Sequence, residues 1–561
     1  MKTKIVMFLF VLLGINSFGQ APNWAWTHSA GGTSIDYGSS VCSDASGNVY
    51  VTGYFQSATI TFGAITLTNV NNTGTQEDLF IVKYDATGNV IWAKSAGGTS
   101  GDLGKSVSTN ASGDVFITGY FLSDSITFGT ITLSNSHIGW EDLFIVKYDS
   151  SGNVIWAKTA GGSGNDQAEY ISTDIAGNLF ITGNFNSPSM TFGTTTLINS
   201  GNNDVFIVKY NSAGNVLWAK SAGGSSYDYS VSVATDASGN AFITGSFSSP
   251  SIVFGTITLT NASTTGSSDI FLVKYDAFGN VIWANSTGGY SEEMGYGVST
   301  DAIGNVSVTG YFYSTSVTFG ATTLLSSGLG DIFIAKYDSG GNALWAKMAG
   351  GNAPDQGHSV CNDVGGNVFI TGFFESSNLL FGISSLNNFN ASSIADIFVA
   401  KYDSSGNFLW AKSVGGSAPD FGLSIATNGN GDILMTGSFN SPSIDFGTII
   451  LINADTSNIS DIFIAKLNGT TGIQEFNSEN EISISPNPFT STTTISFSEK
   501  LRMNGTGIYS IKIVNVLGFE ILRFALNDKS ATIDLSGVAN GIYFVEGRRG
   551  NEVFRKKMVK Q

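Results

Sequence analysis

The chain has 561 residues, 69 of them glycine, a charged fraction of only 12% and a formal net charge of −17. That length exceeds what one ordinary hydrophobic core holds. The charge is uneven: residues 20–474 carry 13 Lys, no Arg and 34 Asp or Glu, whereas residues 475–561 carry 11 Lys or Arg and 9 Asp or Glu. An acidic, arginine-free region argues against nucleic-acid binding, which needs cations for the phosphates.

In chain order, Lys2 and Lys4 precede an apolar run from Ile5 to Ile15, and Ser17 and Gly19 are small residues suited to the −3 and −1 positions of a cleavage site. Residues 1–19 therefore read as a secretory signal peptide, cleaved after Gly19. The run is too short to span a bilayer and no later segment reaches spanning length, so no transmembrane segment is expected. No cysteine follows the run, and a lipid anchor at that point is not expected.

Next comes Trp24-Ala-Trp26, and a Trp strand then returns at Trp92, Trp156, Trp218, Trp283, Trp345 and Trp410, at intervals of 62 to 66 residues counted from Trp26. A fixed period of this kind means a repeat architecture. The fourth unit shows the order of parts. Asp228–Thr235 is a first strand, 236–240 a turn, Ala241–Phe247 a second strand, and 251–259 a small hairpin. Asp269–Tyr275 is a third strand and 281–284 a fourth. Asp338-Ser-Gly-Gly-Asn342 shows the turn chemistry between third and fourth strands, with glycine where positive φ is needed. Four antiparallel strands, apolar on both faces, must be covered on both sides. A β-solenoid has shorter repeats and parallel pairing, so a radial propeller is the expected fold.

Seven first strands, seven Thr-Gly strands and seven Asp-x-Phe strands are present, but Asp461–Leu467 has no Trp strand behind it. The segment at Trp24–Trp26 has a Trp strand and no Asp strand before it. The two are expected to pair and close a ring of seven blades, leaving no open edge. Cys42 and Cys361 occupy the same repeat position, filled elsewhere by Ser108, Ser172, Ala234, Ser299 and Ala426. They read as free, buried thiols rather than a disulfide.

The recurring Gly-Asn-x-Phe-Ile-Thr-Gly and Asp-Ile-Phe-Ile-Val-Lys-Tyr-Asp-x-x-Gly-Asn-x-x-Trp-Ala-Lys patterns resemble the seven-bladed β-propeller repeat (SBBP-type) family of secreted bacterial proteins, over about residues 20–474. That resemblance implies a scaffold and no single activity.

Residues 475–481 are a polar linker. Short strand candidates follow at 492–497, 511–517, 531–535 and 541–545, which suggests a small Ig-like β-sandwich over 482–561. Pro486, Asn487, Pro488, Gly518, Gly541, Tyr543, Lys556 and Lys557, spaced through this segment, resemble the type A C-terminal sorting domain of type IX secretion substrates. The resemblance implies export across the outer membrane, with the type IX machinery as partner. It also implies removal of the tail, with the cargo released or attached to surface lipopolysaccharide.

Chemistry is sparse. The three histidines, His28, His137 and His358, fall at unrelated repeat positions, so no His-based metal site or triad is visible. Many carboxylates exist, but no pair is singled out for glycoside hydrolysis. The acids entering the seven first strands are Asp36, Asp102, Asp166, Asp228, Glu293, Asp355 and Asp420. They have two readings: a ring of ligands collecting a cation such as calcium, or seven local caps on backbone N–H groups. No other cofactor is expected. The loops after the Thr-Gly strands vary between repeats, and one carries Trp140, which could stack on a sugar or pack locally. The leading expectation is a non-enzymatic, monomeric, secreted or cell-surface scaffold binding glycan or protein. The alternatives are a polysaccharide-active enzyme on a propeller and a purely structural surface component.

Overall fold

The computed structural model describes residues 21–469 apart from 72, 383, 391, 392 and 456, together with 482–497, 510–515, 520–525, 530–549 and 552–561. The signal peptide, the linker 475–481 and Gly518 lie outside the described residues. The chain divides into two compact units, Met1–Gly469 and Thr470–Gln561. Among the described residues the structure is all-β, with no helix.

The first unit is propeller-like. Seven four-stranded antiparallel sheets recur in it, each with a separate two-stranded hairpin. In the fourth, Asp228–Thr235, Ala241–Phe247, Asp269–Tyr275 and Val281–Thr287 pair in sequence order. The Trp strand is longer than its apolar core of four residues. Ile270 faces Thr287, so the polar residues after Ala284 complete the ladder of a full-length partner. The turns are built as their residues dictate. Asp338 Oδ1 accepts from the N–H groups of Gly340 and Asn342, at 2.9 and 2.8 Å, while Gly341 adopts φ +87°.

The third strands are buried along their whole length, as in Asp78–Tyr84, save for a partly exposed Lys401 in the sixth, because side chains on both faces meet a neighbouring sheet. One cluster joins Phe180, Val205 and Ile207 to Ile243, Phe247 and Phe271 of the next sheet. Each buried Phe or Ile of this kind contributes about 1.5–3 kcal/mol. Polar ties repeat across most of the seams. Trp92 Nε1 and Lys83 Nζ both donate to the Ser150 carbonyl in the following unit's turn, at 3.2 and 2.9 Å.

The seventh sheet takes its outer strand from the other end of the unit. Trp24–Ala30 pairs with Asp461–Leu467, and Trp26 lies opposite Lys466 as Trp92 lies opposite Lys83. This sheet packs on the first: Leu434, Ile462 and Ile464 share a core cluster with Val41, Val49 and Phe80. The polar ties are also the repeated ones, with Trp26 Nε1 and Lys466 Nζ both donating to the Ala86 carbonyl at 3.4 and 3.2 Å.

Cys42 and Cys361 are both free, Cys361 buried and Cys42 partly so, and burial pushes both thiols well above their ordinary range. In the second unit, one sheet holds Ile482–Ser485, Thr492–Phe497 and Ser530–Asp534. Another holds Glu520–Ala525, Ser510–Asn515, Gly541–Arg549 and Glu552–Lys560. Ile495 and Ile533 of the first and Ile513, Val545 and Met558 of the second form one buried cluster. The strands at 520–525 and 552–560 were not expected: Arg523 and the Arg555-Lys556-Lys557 run interrupt the apolar pattern that marks a strand.

Candidate functional site

The seven acids of the first strands are each fully buried, and each engages the serine that follows the second strand of its own sheet. Asp36 Oδ2 accepts from Ser57 Oγ at 2.7 Å, Asp102 from Ser123 at 2.8 Å, Asp166 from Ser187 at 2.6 Å and Asp228 from Ser249 at 2.8 Å. Asp355 and Asp420 do the same with Ser376 and Ser441 at 2.7 Å, and Glu293 accepts from the Ser314 N–H at 3.1 Å. The structure thus holds each acid in its own loop and does not bring the seven together. Among the described residues no group of three or more metal-ligating side chains occurs. Burial pushes the carboxyls of Asp36, Asp102, Asp355, Asp420 and Glu293 up to about 7, against the pull of their serine bonds.

A second buried acid stands beside each of these, at the start of the third strand of the preceding sheet, as Asp78 does for Asp102. The two acids together explain the repeated Gly-Gly pair: a Cβ on Gly97 would lie 1.9 Å from Asp78 Oδ1, and one on Gly98 would lie 2.5 Å from the Oγ of Ser123, the serine bonded to Asp102. These carboxylates are framework parts.

Two residues beyond each acid, the first strand carries a β-bulge. The ladder passes from Gly38–Gly53 to Ser40–Thr52, leaving Ser39 as the extra residue. The same register shift occurs in all seven first strands. A bulge re-aims its extra side chain away from the ladder. The bulged residues are Ser39, Lys105, Glu169, Val231, Tyr296, His358 and Leu423, different in every repeat, and all seven line one central cavity of about 490 Å³. Three positions of the same strands hold nearly the same residues in every copy (Asp or Glu, then Gly, Ala or Ser two residues on, then Val or Ile five residues on), while the residue after the acid varies among Tyr, Leu, Gln, Met and Phe.

The lining is polar and aromatic, and its charge is internally balanced. The charged lining residues are Lys105 and Glu169, which pair with each other at 3.0 Å. Burial alone would lower the Lys105 ammonium, but Glu169 beside it holds it above its ordinary range. Burial lowers His358 to about 4, so its ring is neutral at pH 7. Tyr296 stacks on His358 with centroids 4.5 Å apart, and Tyr37 lies parallel to Tyr54 at 5.4 Å. Gln167 donates to Glu141 at 2.6 Å and accepts from Asn184 Nδ2 at 3.2 Å. Sequence reading missed this site. The signal was available in the repeats themselves, as the one inward position on which all seven disagree. Trp140, by contrast, is 42% exposed on its loop and is not among the lining residues.

In the second unit, Asn487 Oδ1 accepts from the Val559 N–H at 2.8 Å, and Phe489 exchanges backbone bonds with Val559 and Gln561. Pro486-Asn487-Pro488 is thereby held against the last strand, in which Lys556 and Lys557 face Val545 and Phe544 in the ladder. Tyr543, buried opposite Met558, donates its hydroxyl to the Ala539 carbonyl at 2.6 Å, and Gly541 opens its strand.

The class these two units define is an exported, repeat-built all-β protein. Residues 483–561 match the model of the secretion system C-terminal sorting domain. That tail sends the chain across the outer membrane by type IX secretion, to the cell surface or beyond it. No helix among the described residues is long and apolar enough to cross a membrane. Among curated proteins, the chain is 24% identical to an uncharacterized WD repeat-containing protein of Acanthamoeba polyphaga mimivirus, over 75% of this chain and 36% of that one. It is also 24% identical to the regulatory protein FlaEY of Caulobacter vibrioides, over 51% of this chain and 32% of that one. The chain thus spans about a third of the length of these relatives. Among solved structures it aligns with PorZ of Porphyromonas gingivalis, an essential bacterial surface component of the type-IX secretion system. That alignment has 10% identity and a TM-score of 0.20, over 95% of this chain and 100% of PorZ. A further alignment, with the extracellular domain of a hybrid two component system from B. thetaiotaomicron, has 11% identity and a TM-score of 0.20, over 94% and 75% of the two chains. At that TM-score neither alignment bears on function.

Proposed function

We propose that residues 20–474 form a closed seven-bladed β-propeller of the SBBP type, followed by a linker and a β-sandwich sorting domain. We read it as a non-enzymatic scaffold that binds glycan or protein at the cell surface or in the surrounding medium. Signal peptide and tail are removed on export. Support for the ring comes from the seam between first and seventh sheets, which carries the same Trp and Lys ties to one carbonyl as the four seams from the first sheet to the fifth. The observation that carries the binding role is the central cavity, where each of seven equivalent strands contributes a different side chain. No two repeats place the same side chain at that bulge, whereas filling space alone would let one residue type recur there. Saturable binding in a glycan and protein screen of the exported protein, without turnover in depolymerase assays, is the expected result. Product formation in those assays would replace the reading with an enzyme, and silence in both with a purely structural component.

A further inference from the structure

We infer that the central cavity is the binding site and that its ligand is a neutral, pyranose-containing saccharide; this rests on the scaffold reading above and narrows it. Pockets for small ligands run from about 300 to 1,000 Å³ and combine aromatic walls with a few placed polar groups, and a cavity of about 490 Å³ falls in that range. Charge decides the class. An anionic ligand needs an uncommitted cation, but the lining ammonium, Lys105, is already paired with Glu169 at 3.0 Å. A cationic ligand needs an uncommitted carboxylate, and the same pair removes it. What remains is a neutral surface able to donate and accept hydrogen bonds.

Aromatic rings line the cavity from the first, third, fourth, fifth and sixth repeats. Tyr296 and His358 stack at 4.5 Å, and Tyr229 is stacked by Tyr227, which is 48% exposed and carries the platform outward. The amides and the ion pair come from the second and third repeats, through Lys105, Gln167, Glu169 and Asn184. A pyranose has an apolar face of C–H groups and a rim of hydroxyls. The face suits an aromatic ring, whose large apolar area costs little conformational entropy to present. The rim suits an amide fan such as Gln167–Asn184, whose atoms can both donate and accept. Gln167 and Asn184 are held by each other and by Glu141, which fixes the fan, and each amide keeps donor and acceptor capacity beyond those bonds. The bulges add preorganisation: each lining side chain leaves a strand whose flanking residues are locked in a ladder.

The test is calorimetric titration of the exported protein with cellobiose, maltose, laminaribiose and mannobiose, and with digalacturonic acid and putrescine as charged controls. At least one neutral disaccharide should bind. Tyr296→Ala, which removes the stacking ring, and Val231→Trp, which fills the cavity, should each weaken it at least tenfold, and Trp140→Ala should leave it unchanged. Should either cavity variant fail to fold, the unmodified protein decides. With three histidines in the chain, the His358 ring resonances of a histidine-labelled sample should move on saturation with the disaccharide. Disaccharide binding that survives both cavity substitutions, or leaves His358 unmoved, would overturn the central site while sparing the scaffold reading. Binding of only a charged control, or of protein ligands alone, would do the same. Absence of any ligand would overturn both.

Discussion

The third strands and the first strands of the repeats obey opposite rules. Asp78–Tyr84, Asp142–Tyr148 and Asp204–Tyr210 differ at one residue in seven and are buried at every position. The first strands keep their framework positions, yet the bulged residue is never the same twice. A third strand sees only its two neighbouring sheets, and that environment is copied seven times, so the same side chains solve it each time. The bulged residues share one space. Seven lysines there would repel, and seven tyrosines would not fit. Repetition enforces identity where contacts are local and breaks it where all copies meet.

The widest break in the repeated framework is removal of residues 21–32. This takes away the buried Trp24, Trp26 and Ala30 and the outer strand of the seventh sheet. The loss of two buried tryptophans alone should cost more than about 5 kcal/mol. Calorimetry should show the whole first unit melting lower, and a transition at the original temperature would mean the seam carries no load.

A single framework side chain should have the next largest effect. Lys336 and Asp301 pair at 2.9 Å with side chains 1% and 3% exposed, and Lys336 also donates to the Gly366 carbonyl at 2.7 Å. Lys336→Ala leaves a buried carboxylate without its counter-charge, though still bonded by Asn305, and should destabilise by about 3–5 kcal/mol in denaturant titration. Lys336→Met together with Asp301→Asn should recover part of that.

Acidity should act in the same framework. Asp102, Asp355 and Asp420 are pushed up to about 7 by burial, whereas an unfolded Asp titrates near 3.9 (about). Between these values the folded chain holds protons that the unfolded chain releases, so stability falls as pH rises through the window. The melting temperature should therefore be several degrees higher at pH 5 than at pH 8, and Asp102→Asn should reduce the difference. Below that range the sign reverses. Turn acids such as Asp149 and Asp338 are held low by hydrogen bonds from Asn153 and Asn342, and their contribution is lost on protonation. A melting temperature that rises from pH 5 to pH 8 would sink this account.

The lining should be the most tolerant part of the first unit. Ser39→Ala, at a bulge with no ladder partner, should change stability by less than about 0.5 kcal/mol. A larger loss would mean that the variable positions are framework after all. Removing 482–561 should leave the melting of the first unit unchanged and abolish export, as read from the protein found in the culture fluid or on the cell surface.

The order of strands, the turns with Gly341 at positive φ and the pairing of Trp26 with the last third strand were all legible in the sequence. They rest on local periodicity, turn chemistry and a count of parts that leaves one strand missing and one spare. The sorting tail was legible for a similar reason, as spaced motif residues, while its strands at 520–525 and 552–560 were hidden by basic residues. Sequence alone left Asp36, Asp102 and their equivalents as either a cation ring or seven caps. Only the tertiary structure placed Ser57 and Ser123 against them, from 21 residues away in each case. Only the fold, likewise, made neighbours of Lys105 and Glu169, or of Tyr296 and His358, which lie 64 and 62 residues apart in the chain. Adjacency of that kind depends on how the sheets pack around a common space. No residue encodes it locally, because each bulge fixes only where its own side chain points and the cavity is a property of all seven.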